Sequence, residues 1–249
     1  MATAKTSKKL PSRRGVATAA GILSPAEAQR EPIAHLIARK LEEDVVLGRR
    51  HPRERLVEQD LCTAFDTHRG DIRLALFELE KRGIVERIPN RGAIVRDLKP
   101  REVSEIYSVR EELEVMAVRI LPFPVAPADI VRLEAVQREH DKAVDSGDLL
   151  AVFHGNVQFH RALFGLCGNN CLIETIENLA QKVSGIRSYA YANPGALNNA
   201  RQDHTAMIEA LRDSRREELI MLTRRHLKPA EQAYIRAYRQ RFGDGGPGA

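Results

Sequence analysis

Two short β-prone runs, Ile84 to Ile88 and Ala93 to Val95, flank Pro89-Asn90-Arg91-Gly92 in a chain whose apolar residues otherwise recur at helical spacing. One hairpin in so helical a pattern points to a mostly α protein with a small β appendage. Composition agrees, because aromatic residues make up only 5% of the chain, Trp is absent, and Leu, Ala, Glu and Arg dominate its body.

The segments before the hairpin give it a context. From Pro32, which suits a first helical turn, Ile33, Leu36, Ile37, Leu41 and Val45 mark a helix that ends near Gly48. A short helix over Leu56 to Phe65 follows, then a turn at Asp66-Thr67-His68 and a third helix from about Arg69 to Lys81, closed near Gly83. Three helices with a tight turn before the last form a helix-turn-helix, and the hairpin behind adds a wing. In the third helix Arg69 and Arg73 lie four apart and point the same way, beside the stripe of Ile72, Leu76 and Leu79 that pins the helix to its domain. Gly70 leaves room for close backbone approach, and the free N–H groups of the first turn attract phosphate. An amphipathic helix with solvated arginines is the plainer account of this stretch taken alone.

After Lys99-Pro100 the helical pattern persists over Val103 to Leu121, Pro127 to Val144, Leu149 to Leu166, Leu172 to Ala190, Asn199 to Arg212 and Glu217 to Phe242. The 249 residues thus divide into a disordered basic tail over 1–28, a winged helix-turn-helix domain over 29–98, an all-α helical bundle over 99–242 and a flexible tail over 243–249. The net charge of +5 is weak evidence of a nucleic-acid partner: Lys5, Lys8, Lys9, Arg13 and Arg14 against Glu27 leave only +1 for the remainder. No signal-peptide core or membrane-length apolar run is present, so a soluble, cytoplasmic protein without a membrane partner is expected. Cys62, Cys167 and Cys171 lack CxxC spacing and read as reduced thiols.

The bundle carries a second set of residues with chemistry. Asn156 and His160 lie four apart on one helix, while His204 and His226 belong to the two last helices. Inward side chains from separate helices are how bundles build metal sites, and neutral imidazoles suit a divalent ion of the zinc, nickel or manganese class. With no HxxxH or HExxH pair, spacing alone favours histidines that simply pack or face solvent.

Several stretches in order resemble the GntR-type transcription regulators, and within them the FadR-like group with an all-α FCD ligand-sensing domain. Arg53-Glu54-Arg55-Leu56-Val57-Glu58 resembles that group's entry to the second helix, and Thr67-His68-Arg69-Gly70-Asp71-Ile72-Arg73-Leu74-Ala75-Leu76 is similar to its recognition-helix signature with one extra residue. Pro89-Asn90-Arg91-Gly92-Ala93 matches its wing, and Tyr107 to Glu114 resembles the opening of its sensor domain. The resemblance implies operator DNA contact through Arg69, Arg73, Arg91 and Gly92, with Thr67, His68 and Gly70 beside phosphate or base edges. An arginine can bind guanine O6 and N7 together, and a wing glycine lets backbone enter the minor groove. The sequence departs from the family at Gly70-Asp71 and at Leu74, where Thr-Pro and Glu are usual.

The resemblance also implies a metal held by Asn156, His160, His204 and His226, since metal-binding FCD domains show "D-x-x-x-H", then a His before an "I-x-x-A-L/I" run, then a last His. Asn156 replaces that Asp and removes one negative charge. An effector carboxylate is expected to restore it, with Arg110 as its charge partner. Together these readings predict a homodimeric regulator, a repressor, that binds a near-palindromic double-stranded operator and responds to a small organic acid. The alternatives are a metal-dependent hydrolase and a regulator for which the metal is itself the signal.

Overall fold

The computed structural model describes residues 31–89, 91–191 and 194–243, so the expected tail over 1–28 and, apart from Gly243, the one over 243–249 lie outside the described residues, as does Asn90 of the wing. The described residues from Ile33 onward form one compact unit. Within it, α1 (Ile33–Val46), α2 (Glu58–Phe65) and α3 (Arg69–Lys81) precede a small sheet, and α4 (Pro100–Arg119) opens the bundle. The helices α5 (Pro127–Ser146), α6 (Leu149–Gly165), α7 (Asn170–Lys182), α8 (Arg187–Tyr191), α9 (Pro194–Arg212) and α10 (Arg216–Phe242) complete it. The mostly α class and the winged helix-turn-helix are as the sequence indicates.

Local chemistry explains the boundaries. Asp66 adopts the left-handed conformation, φ 46°, and turns the chain sharply between α2 and α3. Asp148 caps α6 by accepting from the Leu150 and Ala151 amides at 3.1 and 3.0 Å. Gly147, at φ 72°, closes α5 just before it.

Two expectations are corrected. The wing is a three-stranded sheet, because β1 (Arg55–Leu56) pairs antiparallel with β3 (Gly92–Val95), which also pairs with β2 (Val85–Ile88), in the order β1-β3-β2. A two-residue strand leaves no period-2 signal to read. The continuous helix expected over Leu172 to Ala190 is also broken, into α7, a 3-10 turn at Ser184–Ile186 and α8. A Cβ on Gly185 would meet a Val45 methyl at 3.0 Å, so this irregular turn is where α1 presses on the bundle.

Three cores result. Leu41, Leu56, Leu61, Ile72, Leu76, Leu79 and Val95 hold α1–α3 to the sheet. A larger cluster built on Leu133, Phe159, Leu163, Met207 and Leu211 fills the bundle. Between them, Leu98, Val103, Tyr107, Val183, Ile186, Leu227, Tyr234 and Tyr238 form a junction core, where the buried Tyr234 hydroxyl donates to the Leu98 carbonyl. Cys62, Cys167 and Cys171 are all free thiols.

Gly92 has a packing role that its spacing does not reveal. It is buried at φ 99°, and a Cβ there would lie 2.0 Å from the Leu56 carbonyl oxygen of β1. Wing closure therefore requires a residue without a side chain. Gly92→Ala is expected to destabilise the protein by about 2 kcal/mol or more, read as a lower midpoint in chemical denaturation.

Candidate functional site

Helices α6, α9 and α10 bring His160, His204 and His226 together, with ligand atoms all within 4.8 Å of one another. The Nε2 atoms of His160 and His226 are 3.1 Å apart. Neighbouring side chains orient two of the rings, His204 and His226, whereas His160 Nδ1 is buried without a partner. Gln137 of α5 donates its amide to Asp141 at 2.8 Å, which turns its oxygen toward His204 Nδ1 at 3.0 Å. His204 must then carry its proton on Nδ1 and present a lone pair at Nε2, a fully buried atom with no hydrogen-bond partner.

The carboxylate of Asp203 does the same for His226, accepting from Nδ1 at 3.4 Å, while Arg225 neutralises that carboxylate from the other side. Burial works against the Asp203 charge, but the hydrogen bonds from His226 and Arg225 outweigh it and hold the carboxyl below its usual range. Burial, reinforced by the neighbouring rings, pushes the His160 and His204 pKa values well below that of a free imidazole. Three imidazole nitrogens converging from separate helices, with His160 and His204 held neutral by burial, are a donor set that fits a divalent cation once the proton shared between His160 and His226 is displaced. Hydrogen-bonded partners behind ligating imidazoles are the usual means of holding such rings in place.

Asn156 lies one turn before His160 and lines the same cavity as His160 and His226, a space of about 100 Å3. Arg110 lines it too, but its charge is already answered: Nη2 and Nε both donate to Glu114 Oε1, at 2.8 and 3.1 Å, in a pair buried from solvent. Arg187 of α8 also lines the cavity and has no ion pair with a carboxylate among the described residues. Gln137, Asp203 and Arg187 were not singled out from the sequence. Asp203 had a visible signal in its position beside His204. Gln137 and Arg187 had none, since their places depend on how α5 and the broken α7–α8 segment pack.

The second set of residues lies on α3 and the wing. His68, Arg69, Gly70 and Arg73 are exposed, and nothing would crowd a Cβ on Gly70. Arg69 donates to the Gln59 side-chain oxygen at 2.8 Å, and Arg73 pairs with Glu58 at 3.0 Å, so α2 holds both guanidinium groups in place. Thr67 is half-buried, and its hydroxyl donates to Asp71 at 2.8 Å. That bond commits Asp71 to the first turn of α3, where a carboxylate complements the helix dipole. Arg91 is exposed on the wing, whereas Gly92 is buried beneath β1.

Comparison with known proteins agrees with both halves. Residues 34–95 match the family model described as "Bacterial regulatory proteins, gntR family", and residues 105–229 match the FCD domain. The chain is a GntR-family transcription regulator with an FCD domain.

The HTH-type transcriptional regulator McbR of Escherichia coli strain K12 is 25% identical over 179 residues, 71% of this chain and 81% of that protein. The HTH-type transcriptional repressor RspR of the same strain is 22% identical over 214 residues, 86% of this chain and 93% of that protein. Among solved structures, E. coli McbR/YncC superposes with a TM-score of 0.73 at 21% identity, covering 84% of this chain and all of that one. A GntR regulator from Rhodococcus sp. RHA1 gives 0.66 at 25% identity, covering 84% of this chain and 100% of that one. The fold, the DNA-binding class and the presence of an FCD domain follow. Among the described residues, no helix is long and apolar enough to cross a membrane.

In the metal-free regulator at neutral pH, nitrogen NMR should find His204 as the Nδ1–H tautomer. Gln137→Leu should erase that preference, and a mixed tautomer population in the unsubstituted protein would contradict the hydrogen-bond assignment.

Proposed function

We propose that this regulator is a repressor that binds a near-palindromic operator as a homodimer and is released by a small organic acid bound beside a divalent cation in the histidine cavity. The observation that carries the cation is the His204 Nε2 atom, buried, unpartnered and aimed toward His160 and His226. Those three imidazoles would hold the ion, with the Asn156 amide oxygen as a further donor, and the ion would supply a Lewis-acidic point for a carboxylate.

The chain's own residues supply the rest of the effector site. Arg187 is better suited than Arg110 to meet a carboxylate, because Glu114 already neutralises Arg110 whereas Arg187 keeps its charge. Asp203 and Gln137 orient imidazoles rather than touching the effector. Effector binding can weaken operator affinity only if the DNA-competent and incompetent arrangements hold the acid unequally.

On the DNA side, Arg69 and Arg73 enter the major groove, with His68, Gly70 and Thr67 flanking them and Arg91 in the adjacent groove. Gly92 serves by shaping the wing. The contacts that hold the two arginines in the free protein, Gln59 and Glu58, would be exchanged for base edges and phosphate on binding. A hydrolase reading lacks a free base: the cavity's only carboxylate among the described lining residues, Asp203, is engaged by His226 and Arg225.

Three measurements test this reading. Arg73→Ala should abolish specific operator binding in a mobility-shift assay while leaving the thermal shift caused by an organic acid intact. Gln137→Leu should weaken zinc binding by roughly 10- to 100-fold in a chelator competition. Metal occupancy that is full and unaffected by every organic acid screened would sink the coupling between ion and effector.

A further inference from the structure

A second cavity, of about 400 Å3, lies at the junction between the helix-turn-helix half and the bundle, away from the histidines. Its size falls in the range of small-molecule sites. The floor is apolar, built from Val45, Ile84 and Ile186, and Tyr189 and Tyr234 line it with rings set edge to face at 5.1 Å.

Its charge is one-sided. Arg50, Arg96 and Lys182 line the cavity and no carboxylate does. Arg50 is paired with Glu54 at 2.6 Å and Arg96 with Glu102 at 2.5 Å, but Lys182 has no carboxylate partner among the described residues. The stem of Lys182 and the guanidinium of Arg96 flank Gly83, where an added Cβ would meet Lys182 Cγ at 3.0 Å and Arg96 Nη1 at 3.4 Å, and Arg96 Nη1 donates to the Gly83 carbonyl at 3.2 Å. A lysine without a carboxylate partner at the mouth of a cavity with aromatic and aliphatic walls suits one acidic group on an apolar body.

We propose that this junction cavity is a second ligand site, distinct from the histidine cavity, and that it takes an amphipathic organic anion with a ring-sized apolar body. The acid meets Lys182, the lining cation without a carboxylate partner, with Arg96 remaining paired to Glu102 beside it, and the apolar body packs on Tyr189, Tyr234 and Ile84. Because α1 and the sheet supply one wall while α7, α8 and α10 supply the other, occupancy ties the DNA-binding half to the sensor half.

The test is a fluorescence titration of the full-length protein with anilinonaphthalenesulfonate, an amphipathic monoanion. Lys182→Glu, an exposed position, should lower dye affinity by about tenfold or more, and so should Ala237→Phe, which fills the cavity from α10. Arg187→Ala, in the histidine cavity, should leave dye affinity unchanged. Circular dichroism checks that each variant is folded, and if Ala237→Phe is not, Lys182→Glu decides. No dye binding by the unsubstituted protein, unchanged affinity in Lys182→Glu, or loss confined to Arg187→Ala would each overturn the proposal.

Discussion

A buried imidazole has two ring nitrogens, and each must find a partner or remain a cost to the fold. In this bundle His204 is fully enclosed, and Gln137 can answer only one of its nitrogens. The other points at His160 and His226, whose own inward nitrogens sit 3.1 Å apart. The arrangement of four helices depends on this constraint, since α5 supplies Gln137, α6 and α10 supply the facing rings, and α9 carries both His204 and Asp203. A cation at the meeting point would answer the unpartnered His204 Nε2, so a feature that costs the fold is also the one that recommends the ligand.

Much of the architecture was legible because helical periodicity is a strong signal: Ile33 to Val45 and Ile72 to Leu79 each present one apolar stripe, and each is a helix packed on that stripe. The hairpin was legible from its turn, but β1 was not, because two residues carry no period. The break after Lys182 was hidden for a different reason. Val183-Ser184-Gly185 reads as tolerable helix, yet α7 ends at Lys182 and the chain enters a 3-10 turn where a Cβ on Gly185 would lie 3.0 Å from a Val45 methyl of α1. Tertiary contact overrode local preference there.

The site divides the same way. His160, His204 and His226 could be grouped from the sequence once a family pattern ordered them, but the residues that set their tautomers could not. Gln137 is about seventy residues from His204, and nothing in its surroundings marks it as anything but a polar helix residue. Arg110 was the more conspicuous arginine in sequence, and burial against Glu114 explains why it is the less available charge. Gly92 shows the converse case, in which the right residue was noticed for a groove contact while its burial under Leu56 gives it structural work.

The break between α7 and α8 leaves α8 only five residues long, Arg187–Tyr191. A helix that short has almost no stability of its own, since its ends leave most of its amide and carbonyl groups without internal partners. Its position is therefore dictated by what it touches. Arg187 and Tyr191 line the histidine cavity, whereas Ser188 and Tyr189 line the junction cavity next to α1. A segment so weakly self-determined takes its seat from its surroundings, with one set of side chains in the wall of the histidine cavity and the other in the wall of the junction cavity beside α1.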